Sequence, residues 1–157
     1  MSARELTGDR VADSLRCALV VSDFNPLVTR RLLNQALATL RECGADDGQL
    51  TVVRVPGGFE LPLVAKRLAL TGQFEVIICL GAVIRGDTSH YDLVCDAAAS
   101  GISRASLETG VPIIFGVVTA ETVEQALERS GPGELNRGRA AAFAAVEMAT
   151  LLRRLKA

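Results

Sequence analysis

The single histidine of the chain, His90, lies near the end of the segment GAVIRGDTSHYD at positions 81–92. In this segment an apolar run ends in glycine, charge and hydroxyls, immediately before a pattern typical of a helix. The free N–H groups and positive dipole at the start of a helix bind anions, so residues 86–89 predict a phosphate site. The same positive end disfavours an imidazolium ion, and a neutral imidazole can accept or relay a proton at pH 7. The segment therefore predicts acid–base chemistry beside a bound anion.

The same residues also have structural interpretations. Ser89 or Thr88 could cap the helix, with Asp92 completing something like a capping box, and capping would still leave other N–H groups open. Asp87 disfavours a second phosphate because it brings its own negative charge. A nearby cation would offset the negative charges of Asp87 and of a bound phosphate. Three arginines are candidates for that cation: Arg85, Arg129 and Arg137. Arg129, at the end of a predicted helix, also suits the helix dipole alone.

Two further turns place an aromatic ring among polar or glycine neighbours. Phe24 lies in SDFN and Phe59 in PGGFE. Each ring could be a hydrophobic staple at a helix start, or could stack on a flat heterocycle. Gly57 and Gly58 can supply positive φ in a tight turn or let backbone N–H groups approach a ligand closely. Glu60 can simply favour the helix dipole.

Two periodicities alternate along the chain, as expected of strands followed by helices. Short apolar runs predict strands at 16–22, 51–55, 74–81 and 112–118. Apolar residues at helical spacing predict helices at about 27–40, 59–70, 89–109, 121–129 and 139–155. This alternation predicts an α/β fold, a three-layer α/β/α sandwich with a four-stranded parallel sheet and right-handed crossovers. Ligands bind outside the carboxyl ends of such strands, where the turns at 22–25, 56–60, 86–90 and 119–121 would lie together.

Composition bounds the class of protein. The chain has 157 residues, of which 49% are hydrophobic and 22% charged, so we expect one domain over 1–157 with an N-terminal extension at 1–15. The net charge is -1 and the basic residues are dispersed, which argues against nucleic acid or an acidic membrane as a partner. The first residues lack the apolar core of a secretory signal, and no apolar run has the roughly 20 residues of a spanning helix. We therefore expect a cytoplasmic protein with a small-molecule ligand.

The cysteines argue against a metal site and a disulfide framework. Cys17, Cys43, Cys79 and Cys95 form no CxxC pair, and one histidine cannot complete the usual zinc ligand sets. We expect reduced and mostly buried thiols. Cys95, on the helix after His90, could lie near a site, although core packing explains it better.

Five segments carry a resemblance to a known family: SDFN, VPGGFELP, GAVIRGDTSHYDLV, IIFGVVTAETVEQALER and NRGRAAAFAAVEM. Their order and spacing resemble those of the 6,7-dimethyl-8-ribityllumazine synthase family over nearly the whole chain from about Arg16 onward. The resemblance implies a flavodoxin-like sandwich, in agreement with the independent interpretation above. It also implies a transferase of riboflavin biosynthesis that needs no cofactor or metal. At the penultimate step, such an enzyme condenses 5-amino-6-(D-ribitylamino)uracil with 3,4-dihydroxy-2-butanone 4-phosphate and releases phosphate and water.

By position, the resemblance implies roles for individual residues. His90 would transfer protons during imine formation and the later loss of phosphate, and Phe24 would stack on the pyrimidine. Two sets of residues would border the pyrimidine and the ribityl chain: Gly58, Phe59 and Glu60, and, through backbone groups, Ala82, Val83 and Ile84. Asp87 and Thr88 would offer main-chain donors to the phosphate of the four-carbon substrate.

The resemblance also implies that adjacent subunits share each site. Three residues would reach in from the neighbour: Phe115, Arg129 and Arg137. Arg129 would pair with phosphate in a bidentate geometry. Arg137 stands where many relatives have lysine, which keeps the charge but changes the hydrogen-bond geometry.

Association into a homo-oligomer is expected from composition as well as resemblance. Family members form pentamers, and some assemble into a sixty-subunit icosahedral shell. The alanine-rich last helix and AAASGIS at 97–103 offer small apolar surfaces that one sheet cannot fully cover. SGPGELN at 130–136 has no long insertion but departs from the turn frequent in shell formers. We expect a pentamer as the unit and leave open whether pentamers assemble into the shell.

Two other functions remain compatible with this fold class. A flavodoxin-like electron carrier should have a glycine- and hydroxyl-rich phosphate loop in its first turn, and SDFNPLVT contains no glycine. A flavin- or lumazine-binding homologue with weak catalysis would keep the pocket but lose His90 or Arg129, and both are present. We therefore expect an active enzyme, with the binding homologue as the alternative.

Overall fold

The computed structural model describes residues 2–156, so Met1 and Ala157 at the ends of the predicted domain lie outside the described residues. Four strands, β1 (Cys17–Ser22), β2 (Leu50–Val55), β3 (Val76–Ile84) and β4 (Ile113–Ala120), form one parallel sheet in the order β2-β1-β3-β4. The helices are α1 (Pro26–Glu42), α2 (Leu61–Leu70), α3 (His90–Thr109), α4 (Val123–Ser130) and α5 (Arg137–Lys156). Short 3-10 turns at Asp47–Gln49 and Gly58–Glu60 precede β2 and α2.

Both faces of the central strands β1 and β3 are covered, as their uninterrupted apolar runs predict, whereas the edge strand β2 is largely exposed. Alternate residues of β1 point to opposite faces: Leu19 and Val21 pack with residues of α1, α4 and α5, whereas Ala18 and Val20 pack with residues of α2 and α3. All four side chains are fully buried. The predicted three-layer α/β/α sandwich with a four-stranded parallel sheet is therefore confirmed.

The two strands nearest the predicted site are longer than the sequence pattern indicates. β3 ends at Ile84 and β4 at Ala120, beyond the predicted ends at 81 and 118, because the strands pair with each other up to these residues. The pairing of β3 with β1 stops earlier, at Leu80. Residues 82–84, which we call the β3 overhang, are thus bonded to β4 on one side and have no strand on the other.

Three helix starts differ by two residues from the predicted positions. α2 begins at Leu61 rather than about 59, after the 3-10 turn at Gly58–Glu60, and capping explains the starts of α4 and α5. α4 begins at Val123 rather than 121, because Thr122 is extended and its hydroxyl accepts a hydrogen bond from the Gln125 N–H at 3.2 Å. α5 begins at Arg137 rather than about 139, and the side chain of the preceding Asn136 accepts from the Arg139 N–H at 3.1 Å.

The segment before β1 packs along the last helix. Ala12 and Leu15 are buried. The N–H of Asp9 donates to the hydroxyl of Thr150 at 2.9 Å, and its carboxylate pairs with Arg154 at 2.7 Å. Much of the predicted N-terminal extension is therefore held against α5.

All four cysteines are free thiols. Cys17 and Cys79 lie in the sheet, where burial raises the pKa of both thiols. Cys43 is buried and Cys95 is half-buried. Across residues 2–156, no helix is both long enough and apolar enough to cross a membrane.

Ser22 supplies a stability prediction, because its buried hydroxyl has no hydrogen-bond partner within the described chain. Its removal in Ser22→Ala should leave the free energy of unfolding unchanged or raise it by up to about 1 kcal/mol, as measured by urea denaturation. Ser106→Ala is the matched control, because the Ser106 hydroxyl donates to Val111 O at 2.9 Å and accepts from the Ile113 N–H at 3.1 Å. The control should lose about 1–3 kcal/mol, since it leaves a backbone group unpaired. A similar loss in Ser22→Ala would contradict the assignment of Ser22 as unpaired.

Candidate active site

A cleft of about 380 Å³ lies at the carboxyl edge of the sheet, between the turns that follow β1, β2 and β3. Nine of the predicted site residues line it: Phe24, Gly58, Phe59, Glu60, Ala82, Val83, Ile84, Thr88 and His90. The exposed Asp87 adjoins the cleft in sequence but does not line it. The cleft thus lies at the carboxyl edge of the sheet, which is where parallel α/β folds bind their ligands.

Two aromatic rings stand at the cleft with much of their surface in solvent. Phe24 is 70% exposed and Phe59 is 64% exposed. The turns that carry them are joined, because the Phe24 N–H donates to Pro56 O at 3.2 Å and the Asp23 N–H donates to Val55 O at 2.8 Å. Rings held in this way offer apolar faces on which a flat ligand can stack.

Asn25 fixes the first of these turns, and sequence reasoning did not single it out. Its backbone is left-handed, with φ 59° and ψ 60°, a conformation that asparagine tolerates better than most side chains. Its side-chain amide donates to Ala82 O at 3.0 Å. Asn25 therefore ties Phe24 to the β3 overhang. The sequence feature that could have identified Asn25 is its position beside an aromatic residue in a polar turn.

The β3 overhang provides backbone groups for a ligand. Its outer side pairs with β4, whereas the side towards β1 has no strand partner because β1 ends at Ser22. On the side towards β1, the Ala82 carbonyl accepts a hydrogen bond from the Asn25 side chain. The other backbone groups on this side have no strand partner. A planar molecule with amide-like donors and acceptors could extend the sheet at this point.

Residues 86–89 form an exposed loop between β3 and α3. The backbone N–H groups of this loop have no acceptor within residues 2–156, as the predicted anion site requires. The alternative prediction of capping by Ser89 is wrong, since Ser89 has helical backbone angles and its side chain makes no cap bond. Thr88 instead accepts the His90 N–H at 3.3 Å.

Arg85, the first of the three candidate cations, is already engaged. It donates from Nη2 to Asp92 Oδ1 at 3.1 Å, and its Nε lies 2.7 Å from Glu121 Oε2. The hydrogen bond to Asp92 and the two carboxylates raise the pKa of the guanidinium. Asp92 is therefore an ion-pair partner and not part of a capping box, and Arg85 is not available as the counter-ion of a bound anion.

Tyr91, which sequence reasoning also missed, forms part of the cleft wall. The Arg85 guanidinium lies over its ring, with 4.4 Å from Cζ to the centroid. Burial raises the pKa of the Tyr91 phenol, whose hydroxyl contacts Thr119 and Cys95. Cys95 thus lies behind the wall of the cleft.

The remaining predicted residues lie in a second cleft of about 370 Å³ along β4. Phe115, Arg129 and Arg137 line it, together with small residues of α5. Arg129 donates from Nη1 to Thr119 O at 3.1 Å, and Phe115 is 44% exposed. Since β4 is an edge strand, this surface faces away from the rest of its own sheet. One chain therefore carries the predicted residues as two separate groups.

The fold and the first cleft together define a class: α/β sandwiches with a small-molecule cleft at the carboxyl edge of a parallel sheet and open backbone N–H groups at a helix start. Within residues 2–156, no three His, Cys, Asp or Glu side chains cluster as metal ligands.

Comparison with known proteins identifies the family. Residues 14–153 match the family model for 6,7-dimethyl-8-ribityllumazine synthase. Three curated proteins with that name are similar over nearly their full lengths. The chain is 52% identical to the one from Salinibacter ruber (96% of this chain, 97% of the relative). It is 48% identical to that of Desulfotalea psychrophila (94% and 95%) and 46% identical to that of Chlorobium luteolum (99% and 100%). The chain belongs to the 6,7-dimethyl-8-ribityllumazine synthase family, as its sequence motifs indicate.

Proposed function

We propose that this chain is an active transferase that condenses 5-amino-6-(D-ribitylamino)uracil with 3,4-dihydroxy-2-butanone 4-phosphate. The products are 6,7-dimethyl-8-ribityllumazine, phosphate and water, at the penultimate step of riboflavin biosynthesis. The observation that carries the proposal is the first cleft, where aromatic faces, open backbone groups, an anion loop and the single histidine converge. The names of the relatives support the same reaction.

The pyrimidine occupies the part of the cleft beside the β3 overhang. Phe24 stacks on its ring, and the open backbone groups of residues 82–84 hydrogen-bond its edge. The turn that contains Gly58, Phe59 and Glu60 borders the pyrimidine and the ribityl chain. Aromatic stacking and strand-like hydrogen bonds together suit a flat, amide-rich heterocycle.

The phosphate of the four-carbon substrate binds the loop before α3. The unpaired N–H groups there, including those of Asp87 and Thr88, point to this role. His90 follows the loop directly, so its imidazole can move protons during imine formation and phosphate loss. No cofactor is needed, because the carbonyl and amine of the substrates react with each other.

A second copy of the chain completes each site. The loop carries Asp87 and lies beside Arg85, which two carboxylates already neutralise, so a bound phosphate needs a cation from elsewhere. Arg129 and Arg137 line the second cleft, on the free edge of the sheet. Apposing the second cleft of one copy to the first cleft of the next brings Phe115 and both arginines into the shared site, where Arg129 pairs with the phosphate.

A heterologous contact of this kind repeats around a ring. In keeping with the family resemblance, the assembly is a homopentamer and can extend to an icosahedral shell. We place this enzyme in the cytoplasm as a single domain over residues 1–157, with residues 1–15 as an N-terminal extension.

The proposed reaction is tested by mixing the purified chain with both substrates and following the fluorescence of the lumazine product. Multiple turnovers above the rate without protein would support the proposal. Tight flavin binding without turnover would instead establish the binding homologue. Light scattering on the same sample measures whether the unit is a pentamer or a shell.

A further inference from the structure

Arg85 joins three elements of the carboxyl edge through one side chain. It follows β3 directly, and its N–H donates to Ala120 O at 2.9 Å. Its guanidinium reaches Asp92 in the first turn of α3 at 3.1 Å and Glu121 in the turn after β4 at 2.7 Å. The ring of Tyr91 lies under the same group, at 4.4 Å. We call Arg85, Tyr91, Asp92 and Glu121 the Arg85 clamp.

The clamp holds both ends of the loop at residues 86–89. Arg85 is the residue before the loop, and Tyr91 and Asp92 follow His90 at its other end. Among the described residues, loop residues 86–89 make two hydrogen bonds, both to the start of α3: the Thr88 hydroxyl accepts from the His90 N–H at 3.3 Å, and Ser89 O accepts from the Leu93 N–H at 3.3 Å. The positions of the loop N–H groups and of the imidazole therefore depend on how the ends are held.

The charges within the clamp indicate that Arg85 holds neighbouring elements in place rather than binding an anion. One guanidinium faces two carboxylates, so the cluster has no positive charge left to attract an anion. A guanidinium can donate from Nε and Nη2 in different directions while its flat face covers a ring. A lysine ammonium, which is a point charge, cannot make all three contacts at once.

We infer that Arg85 is a positioning residue for the phosphate loop and His90, acting through Asp92, Glu121 and Tyr91 without touching substrate. This inference rests on the proposed function. Exposed ion pairs contribute little to folding, so the effect of the clamp lies in the geometry of the reacting groups rather than in overall stability.

Steady-state kinetics of Arg85→Met tests the clamp. The KM for the phosphate substrate should rise about tenfold and kcat should fall, because a small misplacement of positioned groups costs much of the rate. The KM for the pyrimidine should not change, since Phe24 and the β3 overhang do not depend on Arg85. Arg85→Lys should restore only part of the loss. Loss of affinity for both substrates alike would contradict the inference.

Arg41→Met is the matched control. Arg41 also makes an exposed ion pair, at 2.8 Å to Asp47, at the end of α1 and outside the cleft. The same substitution there should leave both KM values unchanged. An equal rise in the KM for phosphate substrate would show that loss of any surface arginine suffices, and would overturn the specific role of Arg85.

The partners of Arg85 supply a second test, which also serves if Arg85→Met fails to fold. Asp92→Asn and Glu121→Gln should each raise the same KM by less than Arg85→Met. Combined with Arg85→Met, neither should add its full separate effect, because the residues act through one set of contacts. Full additivity would overturn the clamp.

Hydrogen exchange separates failure of the clamp from failure of the proposed reaction. The amides of His90 and Leu93, which are hydrogen-bonded to loop residues, should exchange faster in Arg85→Met than in the wild type, with other amides unchanged. If the wild type makes no lumazine but these amides respond, the reaction is wrong and the clamp stands. If lumazine forms but neither the amides nor the KM values respond, the clamp is wrong.

Discussion

Replacing His90 with alanine should lower turnover by about 10²- to 10⁴-fold without abolishing it, the contribution expected of a positioned acid–base group. Activity survives because the cleft still brings both substrates together, and approximation alone accelerates a bimolecular condensation. The measurement is the initial rate of lumazine formation at saturating concentrations of both substrates.

His90→Gln is the companion variant, since it keeps a polar side chain that does not titrate. It should be as impaired as the alanine variant. Binding of inorganic phosphate to both variants, measured by calorimetry, should match the wild type, because the loop N–H groups are untouched. Wild-type turnover in either variant would remove His90 from the mechanism.

Replacing Arg129 with alanine should raise the KM for the phosphate substrate by about 10- to 100-fold, the loss expected for a charge-assisted hydrogen-bonded pair. The KM for the pyrimidine should not change, because Arg129 lies in the second cleft, whereas the proposed position of the pyrimidine is beside the β3 overhang in the first cleft. Steady-state kinetics with each substrate varied in turn measures the two constants separately.

Arg129→Lys should recover part of the loss, since lysine keeps the charge but not the bidentate geometry. Arg41→Ala serves as the surface control. Equal losses of affinity for the two substrates in Arg129→Ala would contradict its assignment to the phosphate.

Much of the fold could be predicted because its determinants are local. Apolar runs marked the four strands, and Gly110 closes α3 in the left-handed conformation, with φ 72°. The ends of β3 and β4 could not be predicted as well, because they are set by pairing between distant segments. That pairing also creates the β3 overhang, so an important part of the site was invisible in either strand alone.

The grouping of the candidate residues around the first cleft was predicted in outline, whereas their contacts were not. The loop before α3 could be found from residue types alone, since an anion site at a helix start is a local feature. The ion pair between Arg85 and Glu121 could not be predicted from the sequence, because the crossover from β3 to β4 brings these two distant residues together. The separation of Arg129 from His90 into two clefts likewise depends on the position of β4 at the edge of the sheet.

Complementation between His90→Ala and Arg129→Ala tests most directly whether each site is built from two copies of the chain. The two variants are co-expressed with different tags, and mixed oligomers are purified through both tags in succession. The assay uses a phosphate-substrate concentration well below the KM of Arg129→Ala.

If His90 of one copy works with Arg129 of the next, a random mixture in a ring restores about a quarter of the wild-type rate, since each intact half is present half of the time. If both residues serve a site within one chain, the mixed oligomers will be no more active than the average of the two separate variants. That result would contradict the shared site.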